Sequence, residues 1–211
     1  NLVNLTLAGN SIRNSSMLSF DSWRHSRLQL LDLNLNPILS IKNGAFKRLT
    51  QLNTLYLLSS VIHVEEFAFR GLQNLKNVRL YSIASPNQIQ ELSLAFRQIP
   101  YVNKLDLFFW LRDCANYSFP DILMQPFQNL TYIWVEGCPI RQAKVNQNKV
   151  FSLVRTLRIH YCRIKQIHVS LYFAFPNLLH LALGGNEITS ISEYLSLGGI
   201  KKIKLKKIRI R

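Results

Sequence analysis

Residues Leu28–Ile38 read "LQLLDLNLNPI". Apolar residues stand at Leu28, Leu31 and Leu33, an asparagine follows at Asn36, and Ile38 closes the unit. The same L-x-x-L-x-L-x-x-N-x-I spacing occurs at Leu2, Leu5, Leu7, Asn10 and Ile12, and again at Leu178, Leu181, Leu183, Asn186 and Ile188. Weaker copies begin at Leu52, Leu75, Val102, Leu130 and Val154, and a partial one at Ile200 with Ile203 and Leu205. Successive starts lie 26, 24, 23, 27, 28, 24, 24 and 22 residues apart, so the repetition runs the length of the chain. A period of this size marks an array of stacked structural repeats.

Each L-x-L step is the period-2 signal of a short strand with one buried face. A single unit cannot bury its leucines alone, so the units stack and share one core. The expectation is an α/β repeat solenoid: a parallel sheet of about nine short strands on the concave side, with irregular or short helical segments on the convex side. It is read as one domain over residues 1–211, with repeats starting near 2, 28, 52, 75, 102, 130, 154, 178 and 200.

The asparagine position has its own chemistry. Where the chain leaves the strand, backbone groups lose their partners, and a carboxamide can both donate to and accept from a neighbouring repeat. The column reads Asn10, Asn36, Ser60, then Cys138, Cys162 and Asn186, with Ser and Cys as smaller donors. The repeats from Leu75 and Val102 place Ile83 and Trp110 there, which predicts an irregular ladder. Phe46, Phe69, Phe96, Phe127, Phe151 and Phe175 precede the strands and are expected to stack as a column of rings on the return limb.

The strings "GAFKRLTQLNTLYL" (Gly44–Leu57) and "EFAFRGLQNLKNVRL" (Glu66–Leu80) resemble the leucine-rich repeats of animal extracellular receptors. Uneven repeat lengths with degenerate central copies look most like a Toll-like receptor ectodomain. The resemblance implies an extracellular or secreted binding protein, a protein or microbial-type ligand, and receptor pairing on binding. Adhesion and matrix proteins share the same repeat. A Cys-rich cap, a membrane span and a signalling domain are not in this stretch, so it reads as an internal fragment whose membrane attachment would lie in other parts of the parent.

Charge-free residues Gln166–Asn186 are long enough to raise a membrane helix, yet they contain Pro176 and Gly184–Gly185 and follow the repeat. They are therefore read as buried core. Three cysteines without C-x-x-C spacing make neither a disulfide framework nor a zinc site, and Cys138 and Cys162 are expected to be reduced and buried. Sequons at Asn4, Asn14, Asn116 and Asn129 are glycosylation candidates. The motifs of metalloproteases, serine hydrolases and phosphate-binding loops are absent, so binding rather than catalysis is expected, with no cofactor and no metal.

The x positions of the strands supply the binding face. The central column reads Thr6, Asp32, Tyr56, Arg79, Asp106, Trp134, Arg158, Ala182 and Lys204. Tyr81, Phe108, Phe109, Tyr132, His160 and Tyr161 flank it, interleaved with Arg79, Arg155 and Arg158. Aromatics interleaved with arginine are the usual composition of a contact hot spot, so Tyr56, Arg79, Tyr81, Phe108, Phe109, Tyr132, Trp134, Arg155, Arg158, His160 and Tyr161 form the candidate ligand face. The chain carries 26 basic and 11 acidic residues, a net +15, of which residues 141–211 hold 14 and 2. Its end, "IKKIKLKKIRIR", adds a basic patch at Lys201, Lys202, Lys204, Lys206 and Lys207, which makes polyanion or nucleic-acid binding the alternative.

Overall fold

The computed structural model describes residues 2–18, 20, 26–58, 63–83, 85–109, 121–140, 142–145, 150–189 and 207–209. Ser60, Trp110, Cys114, Asn116, Lys201, Lys202, Lys204 and Lys206 lie outside these residues. The chain divides into two compact units.

The first unit, residues 1–106 with 122–129, contains β1 (Asn4–Thr6), β2 (Leu30–Asp32), β3 (Ser40–Ile41), β4 (Thr54–Leu58), β5 (His63–Val64), β6 (Asn77–Ile83), α1 (Pro86–Ala95), the start of β7 (Lys104–Phe109) and most of α2 (Asp121–Met124). Its large sheet runs β1-β2-β4-β6-β7, while β3 and β5 make a small second ladder. The pairs β1–β2, β2–β4 and β4–β6 are parallel, and Thr6, Asp32, Tyr56 and Arg79 stand in one register column. The expected central column is therefore present from Thr6 to Arg79.

The second unit, residues 107–121 with 130–211, contains the end of β7, then β8 (Tyr132–Glu136), β9 (Gln142–Ala143), β10 (Thr156–His160), β11 (Gln166–Ile167), α3 (Ser170–Ala174), β12 (His180–Ala182) and β13 (Lys207–Arg209). Its large sheet runs β7-β8-β10-β12-β13, with β9 and β11 as the small ladder. Trp134, Arg158 and Ala182 share a column. The next member of that column is Arg209 and not Lys204: β13 pairs with β12 through Leu181↔Ile208, five positions after the Ile203 that the spacing chose. The alternation of Ile and Lys in "IKKIKLKKIRIR" admits several registers, and only pairing selects one.

Both units bury the leucines in the manner of a leucine-rich repeat fold: Leu31, Leu33, Leu55, Leu57, Leu157 and Leu181 are all sealed from solvent. The ring column is continuous within the first unit. Centroids of Phe46 and Phe69 lie 6.2 Å apart, Phe69 and Phe96 5.9 Å, and Phe96 and Phe127 5.0 Å. In the second unit Phe151 stacks on Phe175 at 5.2 Å. Each fully buried ring contributes on the order of 1.5–3 kcal/mol of burial.

The asparagine column works as its chemistry requires. Asn36 Nδ2 donates to the carbonyls of Leu7 (2.8 Å) and Leu33 (3.0 Å), and its Oδ1 accepts the N–H of Ile12 (3.2 Å). Asn186 repeats this: Nδ2 reaches Ile159 O and Leu183 O, and Oδ1 accepts from Cys162 N and Ile164 N. Among the described residues Asn10 makes only local bonds, to Leu7 O and Ala8 O. Cys138 and Cys162 are buried thiols outside any disulfide, and Cys162 Sγ donates to His160 O at 3.1 Å.

The ladder is irregular at the repeat from Leu75, as expected, and Trp110 of the next repeat lies outside the described residues. β6 continues to Ile83 in place of a turn, and α1 follows, capped by Ser85 Oγ accepting from Gln88 N. Glu91 of α1 then stands where the next strand of the β3–β5 ladder would be: its Oε2 accepts the N–H of Val64 at 2.9 Å. Gln166–Asn186 forms β11, α3, β12 and turns, and among the described residues no helix is long and apolar enough to cross a membrane.

Candidate functional site

The expected ligand face falls into parts of different character. In the first unit, Arg79 lies over the Tyr56 ring at 5.0 Å and pairs with Asp106 through Nε (3.0 Å) and Nη2 (2.9 Å). Asp106 is only 2% exposed, and Lys104 Nζ stands 3.8 Å from the same Oδ2. Arg79 is thereby committed to an internal partner. Losing Arg79 would leave the buried Asp106 carboxylate without its nearest counter-charge, so the pair acts in the frame of the face. Tyr81 stands opposite Leu58 in the register, and its side chain is outside the description.

Phe108 and Phe109 correct the sequence reading. They are 8% and 6% exposed and so belong to the core, not to an open surface. β7 is buried on both faces from Leu105 to Phe109, and a local alternation rule cannot foresee that.

The open part lies in the second unit. Tyr132, Trp134 and Glu136 of β8 stand opposite Thr156, Arg158 and His160 of β10. Arg158 is exposed, and its guanidinium lies 5.6 Å from the Tyr132 centroid and 5.8 Å from that of Trp134. Trp134 meets Phe108 at 5.0 Å and the edge of His160 at 6.1 Å, and His160 meets Tyr161 at 6.4 Å. The result is an aromatic row from buried Phe108 to exposed Tyr161, roofed in its middle by one arginine. Arg155, also exposed, donates to Asn177 O at 3.1 Å.

Burial pushes the Glu136 carboxyl above its ordinary value, and the Trp134 indole offsets part of that. Nε1 of Trp134 and Nε2 of His160 are buried atoms without a hydrogen-bond partner among the described residues. Burial, with the like charge of Arg158 added, holds His160 below the usual imidazole range.

Sequence reasoning missed one backbone rule. The residue before the asparagine position is left-handed at five turns, Gly9 (φ 71°), Leu35 (56°), Gly137 (73°), Tyr161 (53°) and Gly185 (68°), but not at Ser82 or Phe109, which continue strands before Ile83 and Trp110. Glycine takes this conformation freely, whereas an L side chain there costs roughly 1–2 kcal/mol. Arg163 is left-handed as well, at 55°. The signal was present as Gly-Asn or Gly-Cys at three turns, against Leu35-Asn36 and Tyr161-Cys162.

Among the sequons, Asn4 is exposed in β1, on the face side of the strand. Asn14 is half-buried, bridges Ser40 through its backbone, and accepts from Ser16 Oγ of its own sequon. Asn129 is half-buried in the segment before β8. Lys207 pairs with His180 in the register, and its side chain is outside the description. A cleft of about 630 Å³ lined by Val3, Ser26, Arg27, Gln29, Thr50 and Gln51 shares no residue with the expected face. Among the described residues no three His, Cys, Asp or Glu side chains gather closely enough to hold a metal ion.

No protein-family model matches the chain. A curated relative, Toll-like receptor 3 of Bos taurus, is 21% identical over 99% of this chain. The chain spans 27% of that relative's length. Among solved structures, internalin C2 of Listeria monocytogenes str. 4b F2365 aligns with all of this chain and 72% of its own, at 18% identity and a TM-score of 0.48. With its parallel strands, sealed leucines and asparagine-bonded turns, the chain has a leucine-rich repeat fold, and its sequence is similar to one segment of a Toll-like receptor.

Proposed function

We propose that the chain is a ligand- or protein-binding segment of an extracellular pattern-recognition receptor of the Toll-like kind, and that it binds without catalysing a reaction. The observation that carries this reading is the open row on β8 and β10, where Arg158 lies over Tyr132 and Trp134 beside His160. Strands hold these side chains rigidly, so little conformational freedom is lost on contact. The likeness to a Toll-like receptor over 99% of the chain supports the same class. The site is on the outer side of the cell surface or on a secreted protein, its partner is a protein or a microbial-type ligand, and binding brings two receptors together.

Sequencing the parent transcript past Arg211 tests the receptor part. A Cys-rich cap, a membrane span and a cytoplasmic signalling domain support it. A cap followed by a stop codon overturns it in favour of an adhesion or matrix protein of the same fold.

The second reading, polyanion or nucleic-acid binding, is favoured by the net +12 of residues 141–211. Its measurement is salt. Affinity for heparin or RNA should fall by about one log unit per log unit of salt for each phosphate-type contact. Weak, salt-insensitive retention removes this reading.

A further inference from the structure

We propose that Tyr161 and Arg163, which flank Cys162 after β10, form the contact hot spot for an acidic segment of a partner protein, with the Tyr161 ring receiving an apolar side chain and Arg163 a carboxylate. The proposal deepens the binding reading above and rests on it.

The first argument is conformational. Tyr161 and Arg163 are both left-handed, the only described place where two non-glycine residues so close in sequence adopt that backbone. Gly9, Gly137 and Gly185 fill the position of Tyr161 at other turns without strain. Folding alone therefore favours glycine at residue 161, and strain of this kind persists where the surroundings hold it in place. Those surroundings are visible. Asn186 Oδ1 accepts from the N–H groups on either side of Arg163, at Cys162 (2.9 Å) and Ile164 (3.3 Å). Tyr161 N donates to Gly184 O (3.1 Å), and Cys162 Sγ to His160 O (3.1 Å).

The second argument is presentation. Tyr161 is 64% exposed. Its ring rests against Gly185, which has no side chain to displace it, and the ring edge meets His160. Arg163 is exposed, with no ion-pair partner among the described residues. Tyrosine and arginine are residue types that dominate interface energetics, and the backbone that presents them is held before contact.

The third argument is charge. Residues 150–189 hold four cations, Arg155, Arg158, Arg163 and Lys165, against Glu187 as the one anion. Lys165 already stands 3.8 Å from Glu187, Arg155 donates to Asn177 O, and Arg158 lies over two rings. Arg163 is the one of the four without a contact to a neighbouring group among the described residues, so nothing need be displaced for a carboxylate to reach it. A cation beside an aromatic ring suits a carboxylate next to an apolar side chain.

The test is a phage-displayed random peptide library panned on the full chain, with enriched peptides re-measured on Y161G and R163G. Enriched peptides should carry Asp or Glu beside an apolar residue. Each substitution should weaken them by about 30-fold or more, the loss expected of a hot-spot residue. Both variants should melt at or above the parent temperature, since glycine relieves the backbone, so lost binding cannot come from lost folding. Peptides that bind Y161G and R163G as tightly as the parent overturn the hot spot while leaving the binding reading intact. Heparin or RNA retained in place of peptides, and lost in R163G, overturns the acidic-protein partner in favour of a polyanion. Failure to enrich any peptide or to retain heparin and RNA overturns both this proposal and the binding reading.

Discussion

The Tyr161 ring occupies the space a side chain on Gly185 would need: a β-carbon there would lie 2.3 Å from Tyr161 Cδ1. Gly185 is also left-handed, at φ 68°. Two demands therefore meet at one residue, a backbone that favours glycine and a neighbour from the preceding repeat. G185A should destabilise by about 1–3 kcal/mol through strain and overpacking. In a Y161G background the packing part should vanish and the strain part remain. A double-mutant cycle by urea unfolding checks this, and strict additivity of the two changes would show that the ring contact carries no energy.

Asn186 joins two repeats with four hydrogen bonds, two given and two received. N186A should cost about 1–3 kcal/mol for each buried group left without a partner. N186D should be at least as damaging at neutral pH, because a carboxylate would face the carbonyls of Ile159 and Leu183. N186D regaining parental stability at pH 7 would contradict the role assigned to Nδ2. Thermal melts of the three proteins decide it.

Burial pushes the Cys162 thiol up to about 12 from an ordinary 9.0. The folded protein holds this group as a thiol through the whole neutral range, so a thiolate-specific reagent at pH 8 should leave it unmodified. Modification should appear only at the rate of unfolding. The linkage sign follows: a raised folded value stabilises fully below pH 9.0 and loses its contribution as pH climbs toward about 12. Mass spectrometry of the native protein after labelling reads the outcome, and rapid native labelling of Cys162 would refute its burial.

His160 behaves in the opposite sense. Its folded value is lowered from 6.5, first by burial and then by Arg158, so the unfolded chain binds the proton more readily. Its contribution to stability is present above pH 6.5 and declines as pH falls through the folded value. The imidazole C–H resonance should titrate below 6.5 in the native protein, and R158Q should move it back upward. No movement in R158Q would remove Arg158 as a cause.

Much of the fold was legible in single residues. Leu28, Leu31 and Leu33 announced a strand with one sealed face because that information is local, and the rings from Phe46 to Phe127 announced the core of the return limb for the same reason. The bonds of Asn36 and Asn186 follow from their residue type and position, since a carboxamide after a strand has one efficient use there. The candidate face was legible in part. Trp134, Arg158 and His160 are where the alternation put them, whereas Phe108 and Phe109 are not.

The sequence by itself therefore determined the repeat, the alternation of its regular strands, and which residue bonds its turns, because each is written in the spacing within one repeat. Tertiary structure alone decided the rest. Whether Phe108 is buried, whether Arg79 is free or bound to Asp106, which lysine-rich stretch becomes β13, and on what Tyr161 rests are all settled by side chains from another repeat. Packing and pairing across repeats act over a distance in the chain that no local pattern records.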